Sequence, residues 1–205
     1  MFIELIDALR CPADHPPSAL VAAFDRVDHR NVVAGMLGCP VCGSEFAIRD
    51  GQLYLVTNAM PSPTTRALNP DEDALRLAAS LDLRREDGFA ILRGSWCALG
   101  APMVEIAPTH LVLLDPPFNT PSGDGRSIIH AGGAVPFAPA TANAAATDDS
   151  PHAFALATTV RPGGRVVGPP DVAPPVTVRE LVRDERWWVG EVEAATAPIQ
   201  LRRAP

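Results

Sequence analysis

The chain has 205 residues, 47% of them hydrophobic, enough for one medium domain or for a small and a medium one, and we predict two. Its formal net charge of −7 argues against a broad nucleic-acid or anionic-membrane surface and favours protein or small-molecule partners. All 17 basic residues are arginine, which excludes a catalytic lysine. No apolar run approaches the ~20 residues of a membrane span and no secretory leader is recognisable, so we expect a cytoplasmic protein.

Residues 1–58 have the pattern of a small β-rich module. A short helix over 2–9 runs into Cys11, and two hairpins follow, over 19–37 and 45–56. The second hairpin turns at Asp50-Gly51. Between the hairpins, Cys39-Pro-Val-Cys42 forms a tight knuckle. In a cytoplasmic protein such a pair indicates metal ligands or free thiols rather than a disulfide.

The cysteine spacing predicts a zinc site. A tetrahedral zinc ion needs four ligands, usually supplied as two short pairs on separate knuckles. Cys39 and Cys42 are one pair, and Cys11 begins the other with either Asp14, at the usual spacing, or His15, one residue further on. His15 is the softer ligand, so we predict that Cys11, His15, Cys39 and Cys42 bind zinc. The alternative is a knuckle whose cysteines are simply buried.

The segments Leu9-Arg-Cys-Pro and 38–56, where the knuckle precedes an Ile-Arg-Asp-Gly turn, resemble a known family. It comprises the small zinc-ribbon-like activator subunits of tRNA, rRNA and protein methyltransferases. The resemblance covers residues 1–58 and departs at the first knuckle, where the family has a cysteine pair and this chain has Cys11 alone. It implies an interaction module that stabilises a methyltransferase and does no chemistry itself.

Residues 59–69 are predicted to be a linker, and residues 70–205 a second domain. Asn69 caps a helix that begins at Pro70. A strand over 89–92, a turn at Gly94, a helix through Met103 and a strand over 111–114 then form a β-α-β unit that closes on Asp115. This order is typical of the start of a nucleotide-binding sheet, with the acid placed for a ribose hydroxyl.

The remaining chain alternates predicted strands and helices. Strands are expected over 127–130, 187–193 and 199–203, helices over 154–160 and 176–184, a low-complexity segment over 138–147, and a turn over 161–168 that feeds a strand. The alternation predicts an α/β fold, with an open, mainly parallel, Rossmann-like sheet that carries an antiparallel edge strand.

Two further segments, Ala134-Val-Pro-Phe and Val160-Arg-Pro-Gly-Gly-Arg-Val-Val, make residues 70–205 resemble a class I S-adenosylmethionine-dependent methyltransferase. The resemblance implies that Gly94 opens the cofactor loop and that Asp115 is the ribose-binding acid. Three family features are replaced, by Leu92, by Trp96 with Ala98, and by Ala142-Asn143. We therefore expect a degenerate domain that does not bind S-adenosylmethionine, with the Trp96 indole filling the cofactor's space.

Other candidates are weaker. The segment Asp115-Pro-Pro-Phe118 resembles the loop of amino-methyltransferases acting on adenine or guanine, but a strand end with a proline-rich exit is the favoured interpretation. Cys97 is expected to be a core thiol rather than a nucleophile. The single histidines His110, His130 and His152 are not expected to be catalytic.

These features predict a non-catalytic, methyltransferase-like accessory or scaffold protein that acts through protein contacts in a larger assembly. The alternative is an active methyltransferase with an atypical cofactor loop. We expect Arg49, Tyr54 and one of Trp187 or Trp188 to anchor a protein partner, because arginine and aromatic side chains dominate many interfaces. No nucleic-acid partner is expected.

Overall fold

The computed structural model describes residues 1–57, 61, 67–84, 87–148 and 150–194. The strands in these ranges are β1 (Val21–Asp28), β2 (Asn31–Gly38), β3 (Glu45–Arg49), β4 (Gln52–Tyr54), β5 (Phe89–Arg93), β6 (His110–Leu114), β7 (Arg126–His130), β8 (Ala142–Ala146), β9 (Val160–Gly168), β10 (Val178–Arg183) and β11 (Trp188–Val192). The helices are α1 (Leu5–Ala8), α2 (Pro70–Ser80), α3 (Gly100–Val104) and α4 (Ser150–Thr159), with a 3-10 helix over Gly94–Leu99. None of these helices is long and apolar enough to cross a membrane.

The described strands form one mixed sheet in the order β1-β2-β3-β4-β7-β6-β5-β8-β9-β11-β10. From β7 to β9 all neighbours are parallel. Counted along the chain from β5, their order is 3-2-1-4-5, which is the doubly wound, Rossmann-like arrangement. Beyond β9 the sheet continues with β11 and then β10, both paired antiparallel, and the predicted strand over 187–193 is β11. The prediction of a mainly parallel sheet is confirmed for this half.

The N-terminal strands continue the same sheet. Both predicted hairpins are present as antiparallel pairs, β1 with β2 and β3 with β4. Strand β4 then pairs in parallel with β7, where Leu53 lies opposite Ile129. The N-terminal segment is therefore joined to the parallel strands by backbone hydrogen bonds. The division into domains at residues 59–69 stays a prediction.

Helices cover both faces of the parallel strands, which explains why β5 is buried at every position and β6 at every position after His110. One face packs against α2, the 3-10 helix and α3 through residues such as Leu77, Leu99 and Met103. The other face packs against α1 and α4. As predicted, Asn69 caps α2, and its side chain accepts a hydrogen bond from the Asp71 amide.

Two predictions about the C-terminal half are wrong. The low-complexity segment contains β8, whose alanines are buried between β5 and β9. Alanine has a low intrinsic strand preference, but tertiary pairing overrides it here. The predicted helix over 176–184 is strand β10, which pairs with β11 and forms a cross-strand ion pair, Arg179 to Glu191 at 3.1 Å.

Smaller differences concern element boundaries. The helix predicted over 2–9 is the single turn α1, and the helix predicted over 154–160 begins at Ser150. The predicted turn over 161–168 lies within β9. The strand predicted over 199–203 falls outside the described residues.

The N-terminal residues are anchored to the sheet through a buried histidine. The Phe2 amide donates to Ser127 Oγ at 2.8 Å, which leaves the Ser127 hydroxyl hydrogen free for His110 Nε2 at 2.9 Å. The His110 ring also stacks on Phe2, with 4.5 Å between ring centroids. Burial, with a smaller contribution from the N-terminal ammonium, lowers the pKa of His110 to about 4.

This histidine predicts a pH dependence of stability. An unfolded histidine has a pKa near 6.5, so between pH ~6.5 and ~4 the unfolded chain binds the proton more readily than the folded one. The stabilisation is complete above pH ~6.5 and is lost as the pH falls to ~4, with an upper bound of about 3 kcal/mol. Urea titrations across this range should therefore give a shallower pH slope for His110→Asn than for the wild type.

The matched control is His29→Asn, because the His29 side chain is 91% exposed. Parallel pH slopes for the wild type and His110→Asn would contradict the prediction.

Candidate functional site

Ligands of doubly wound sheets bind beyond the carboxyl ends of the strands, where the strand order reverses. In this chain the reversal lies between β5 and β8. The turn at Gly94 and Ser95 follows β5, and Asp148 lies two residues beyond β8. Asp115 follows β6, and residues 131–133 follow β7. The predicted cofactor residues Gly94 and Asp115 lie among these segments, at the position where such folds bind their ligands, and we call this position the crevice.

Asp148 closes the turn after β5. The Ser95 amide donates to Asp148 Oδ2 at 2.8 Å. Gly94 has a φ of +70°, and a Cβ at this position would overlap the Asp148 carboxylate. The space beside Gly94 is therefore occupied by a side chain of the same protein. In a ligand-binding turn, a glycine at this position would let the backbone approach the ligand.

The Asp115 carboxylate is bound by the loop after β7. It is 1% exposed and accepts hydrogen bonds from the amides of Ala131 at 2.6 Å, Gly132 at 2.9 Å and Gly133 at 2.9 Å. Positive φ angles at both glycines turn these three successive amides toward one point. Such a nest is an anion-binding concavity, and here the anion is an internal carboxylate. A role for Asp115 in cofactor binding stays a prediction.

Arg93 supplies positive charge to this buried cluster. Its guanidinium lies 3.8 Å from Asp115 Oδ2, and both side chains are almost fully buried. The cluster lies close to Cys97, whose thiol donates to the Leu92 carbonyl at 3.2 Å. Burial raises the pKa of Cys97, so its thiol stays protonated and is a poor nucleophile.

Trp96 does not fill the crevice as expected. Its indole lies in the core on the α2 side of the sheet, with its edge against Trp187 at 5.3 Å between centroids. The atoms nearest to a Cβ at Gly94 belong to Asp148 and not to the indole. Asp148 was not predicted, because strand β8, which ends two residues before it, was not recognised in the sequence. The available signal was an acid two residues after a run of alanines.

The predicted metal ligands lie together at the knuckle between β2 and β3. The four ligand atoms of Cys11, His15, Cys39 and Cys42 lie within 4.8 Å of one another. The Sγ atoms of Cys11 and Cys42 are 3.7 Å apart, near the separation of about 3.8 Å that tetrahedral Zn–S bonds give. His15 Nε2 is 3.3 Å from Cys39 Sγ. The cluster could hold a zinc ion, and its fourth member is His15 rather than Asp14.

The surroundings of the cluster suit a metal. His15 Nδ1 donates to the Pro16 carbonyl at 2.7 Å, which fixes the tautomer that leaves the Nε2 lone pair free for a ligand bond. Hydrogen bonds from the Ser44 hydroxyl and amide lower the pKa of Cys42 to about 6. Burial would raise the pKa of Cys39, but amide hydrogen bonds from Cys42 and Val41 outweigh it and lower the value. Zinc binds thiolates, so these two shifts favour metal binding, whereas burial raises the pKa of Cys11 to about 11 and opposes it in the metal-free protein.

The remaining candidates have structural roles. His152 Nε2 donates to the Gly133 carbonyl at 2.8 Å and so ties α4 to the nest. His130 stacks on Tyr54, with 4.6 Å between ring centroids. Phe118 is 63% exposed while Asp115 is buried, so the Asp-Pro-Pro-Phe segment does not present both side chains to a common ligand.

Trp187 and Trp188 are 2% and 0% exposed, so the prediction that one of them anchors a partner is wrong. Trp188 lies opposite Gly168 on the neighbouring strand, where a Cβ would overlap its indole. The absence of a side chain at Gly168 lets the ring lie flat against the sheet and become buried. Of the predicted anchors, Arg49 is exposed and Tyr54 is half-buried.

No protein-family model and no curated protein matches the chain. Among solved structures, the tRNA (m1A58) methyltransferase TrmI from Aquifex aeolicus is similar, with a TM-score of 0.44 and 12% identity over 85% of this chain and 96% of that chain. The Rossmann-like assignment rests on the strand order and not on this similarity.

The ligand set predicts which substitutions abolish metal binding. Protein prepared with zinc should carry about one equivalent by elemental analysis, and a chelator should lower the melting temperature because metal binding is coupled to folding. His15→Ala should lose the metal, because it removes the imidazole that completes the cluster.

Asp14→Asn is the matched control, since Asp14 is exposed and outside the cluster. Metal retained in His15→Ala and lost in Asp14→Asn would contradict this assignment. So would wild-type protein that binds no zinc and keeps its full thermal stability.

Proposed function

We propose that this chain is a non-catalytic, methyltransferase-like accessory protein that acts through protein contacts in a larger assembly. The observation that supports the proposal most is the Asp148 carboxylate, which occupies the turn at Gly94 and accepts the Ser95 amide hydrogen bond. This turn follows the first strand of the doubly wound sheet, where a nucleotide ligand would be held.

The energetics also favour a closed crevice. The Asp115 carboxylate is 1% exposed, so to reach a ribose hydroxyl it would have to turn out of the nest and give up hydrogen bonds from the 131–133 amides. Each buried hydrogen bond to a charged group contributes about 1.5–3 kcal/mol, so losing two of them costs about 3–6 kcal/mol. Displacing Asp148 would add the cost of a second carboxylate. A dissociation constant of 1 mM corresponds to a binding free energy of about 4 kcal/mol. The cost of breaking these hydrogen bonds is of the same size, so it would cancel the affinity of a ligand that otherwise bound at millimolar concentration.

The N-terminal strands bind to the C-terminal half of the same chain, which is the first interaction that the proposal involves. Hydrogen bonds between β4 and β7 make the N-terminal segment an extension of the methyltransferase-like sheet. If the resemblance to activator subunits is correct, the partner that this segment stabilises is its own C-terminal half. An external partner then has to bind another surface.

The proposal predicts that the purified protein does not bind S-adenosylmethionine. Isothermal titration calorimetry should give no saturable heat up to ~1 mM cofactor, because internal carboxylates occupy the donors that a ligand would use. A micromolar dissociation constant would contradict the proposal and favour an active methyltransferase.

The structural role of Asp148 has its own control. Asp148→Ala should lower the free energy of unfolding by about 1.5–3 kcal/mol, because the Ser95 amide loses a charged acceptor. Asp171→Ala, at an exposed acid, should change it little. Equal stability of the two variants would show that Asp148 does not hold the turn.

The accessory role also predicts a protein partner. When this protein is isolated gently from native extract, a different protein should be recovered with it in stoichiometric amount. Recovery of this protein without any partner would argue against the accessory role.

A further inference from the structure

One face of the N-terminal strands carries a row of apolar side chains that no other described segment covers. The registers align Ala23 with Met36, Met36 with Ala47, and Ala47 with Tyr54, so the four side chains form one row across β1 to β4. Val21 lies on the same face, two residues before Ala23. Met36 is 39% exposed and Val21 64% exposed. We call this surface, with Glu45 and Arg49 on the same strand face, the outer face.

The outer face lies on the side of the sheet that α2 and α3 cover farther along, over the parallel strands. Gln52 and Tyr54 pair with Ile128 and His130, which places the outer face on the same side of the sheet as Ile128. Ile128 packs in the cluster beneath α2 and α3, but no helix among the described residues extends that layer over β1 to β3. The opposite face is buried through Leu37, Phe46, Ile48 and Leu53. An apolar sheet face is normally buried against a second layer, and the described residues supply none for the outer face.

The shape of this surface suits a broad partner. Two shallow cavities of about 450 and 400 Å³ meet at Glu45, and together they run from Tyr54 to Val21. Two exposed large apolar side chains, Val21 and Met36, lie on the outer face, and Val41 is exposed in the adjoining knuckle. Contiguous exposed apolar side chains are typical of protein interfaces.

The charges identify the partner as a second copy. Glu45 and Arg49 lie on either side of Ala47, about 13 Å apart along one strand. Both are exposed, and neither has an ion-pair partner among the described residues. We propose that two copies pack outer face to outer face, related by a two-fold axis that runs between the sheets and crosses β3 at Ala47. This rotation places Glu45 of each copy over Arg49 of the other, as a self-complementary interface requires.

Face-to-face packing is favoured over pairing of sheet edges. Both edge strands, β1 and β10, contain register shifts of the kind that bulges produce, and bulges at edges disrupt pairing with another chain. On the outer face, the small side chains of Ala23 and Ala47 allow two sheets to approach the usual ~10 Å. Its four strands have 8, 8, 5 and 3 residues, so the face covers roughly 380 Å² per copy, below the size of most stable interfaces. The dimer should therefore be weak and concentration-dependent.

Sedimentation velocity of the full chain from ~1 to ~200 μM tests the first part of the proposal, since weak interfaces dissociate in this range. The wild type should shift from monomer to dimer. Met36→Asp should remain monomeric, because it places a charge at the centre of the apolar face. Val176→Asp is the matched control, since Val176 is 94% exposed and outside the outer face, and it should dimerise like the wild type. Wild-type protein that is monomeric throughout the range would overturn the proposal.

A charge swap tests the geometry. Glu45→Arg and Arg49→Glu should each weaken the dimer at least ~10-fold, because each places like charges opposite one another across the two-fold axis. The double variant Glu45→Arg/Arg49→Glu should restore it. Failure of the double variant to recover, or single variants that dimerise like the wild type, would overturn the two-fold arrangement. If the outer face instead binds a different protein, the single variants should weaken binding of that protein, and the double variant should not restore self-association. That result would overturn the proposal of a second copy. None of these outcomes depends on whether the cofactor crevice is closed.

Discussion

The hydrogen bond from the Ser95 amide to the Asp148 carboxylate is the interaction on which the account of this protein depends. Where parallel strands end and turns begin, backbone amides point outward without partners, and most doubly wound proteins satisfy them with a ligand. This chain satisfies them with its own carboxylates. Asp148 does so after β5 and Asp115 does so after β7, with the Arg93 guanidinium near Asp115. Under the proposed function, these internal anions organise the edge in place of a ligand.

The metal cluster lies along the same edge of the sheet. Strand β3 begins just after the knuckle, and it is antiparallel to β4, whose end lies beside the end of β7. The knuckle and the turn at Gly94 are separated by about four strand spacings, or roughly 20 Å. A metal at Cys11, His15, Cys39 and Cys42 would join the segment before β1 to the turn between β2 and β3. The long edge of the sheet would then be fixed by a metal at one end and by buried ions at the other.

Local patterns were sufficient to predict part of this structure. Alternating residues with turn signals identified both N-terminal hairpins, and cysteine spacing with ligand softness identified the four members of the metal cluster. The α2 cap followed from Asn69 and Pro70. The prediction failed where tertiary contacts decide the outcome. Alanines became strand β8 because β5 and β9 pair with them. Burial of Trp188 depends on a glycine twenty residues earlier in the sequence, and Asp148 reaches Gly94 only because β8 lies beside β5.

Residue-resolved hydrogen exchange of the ligand-free protein tests most directly the claim that internal carboxylates close the crevice. The account predicts that the amides of Ser95, Ala131, Gly132 and Gly133 exchange slowly, at rates close to those of the β5 and β6 amides, and that adding S-adenosylmethionine changes nothing. Fast exchange of these amides in the ligand-free protein, with protection appearing only when the cofactor is added, would contradict it.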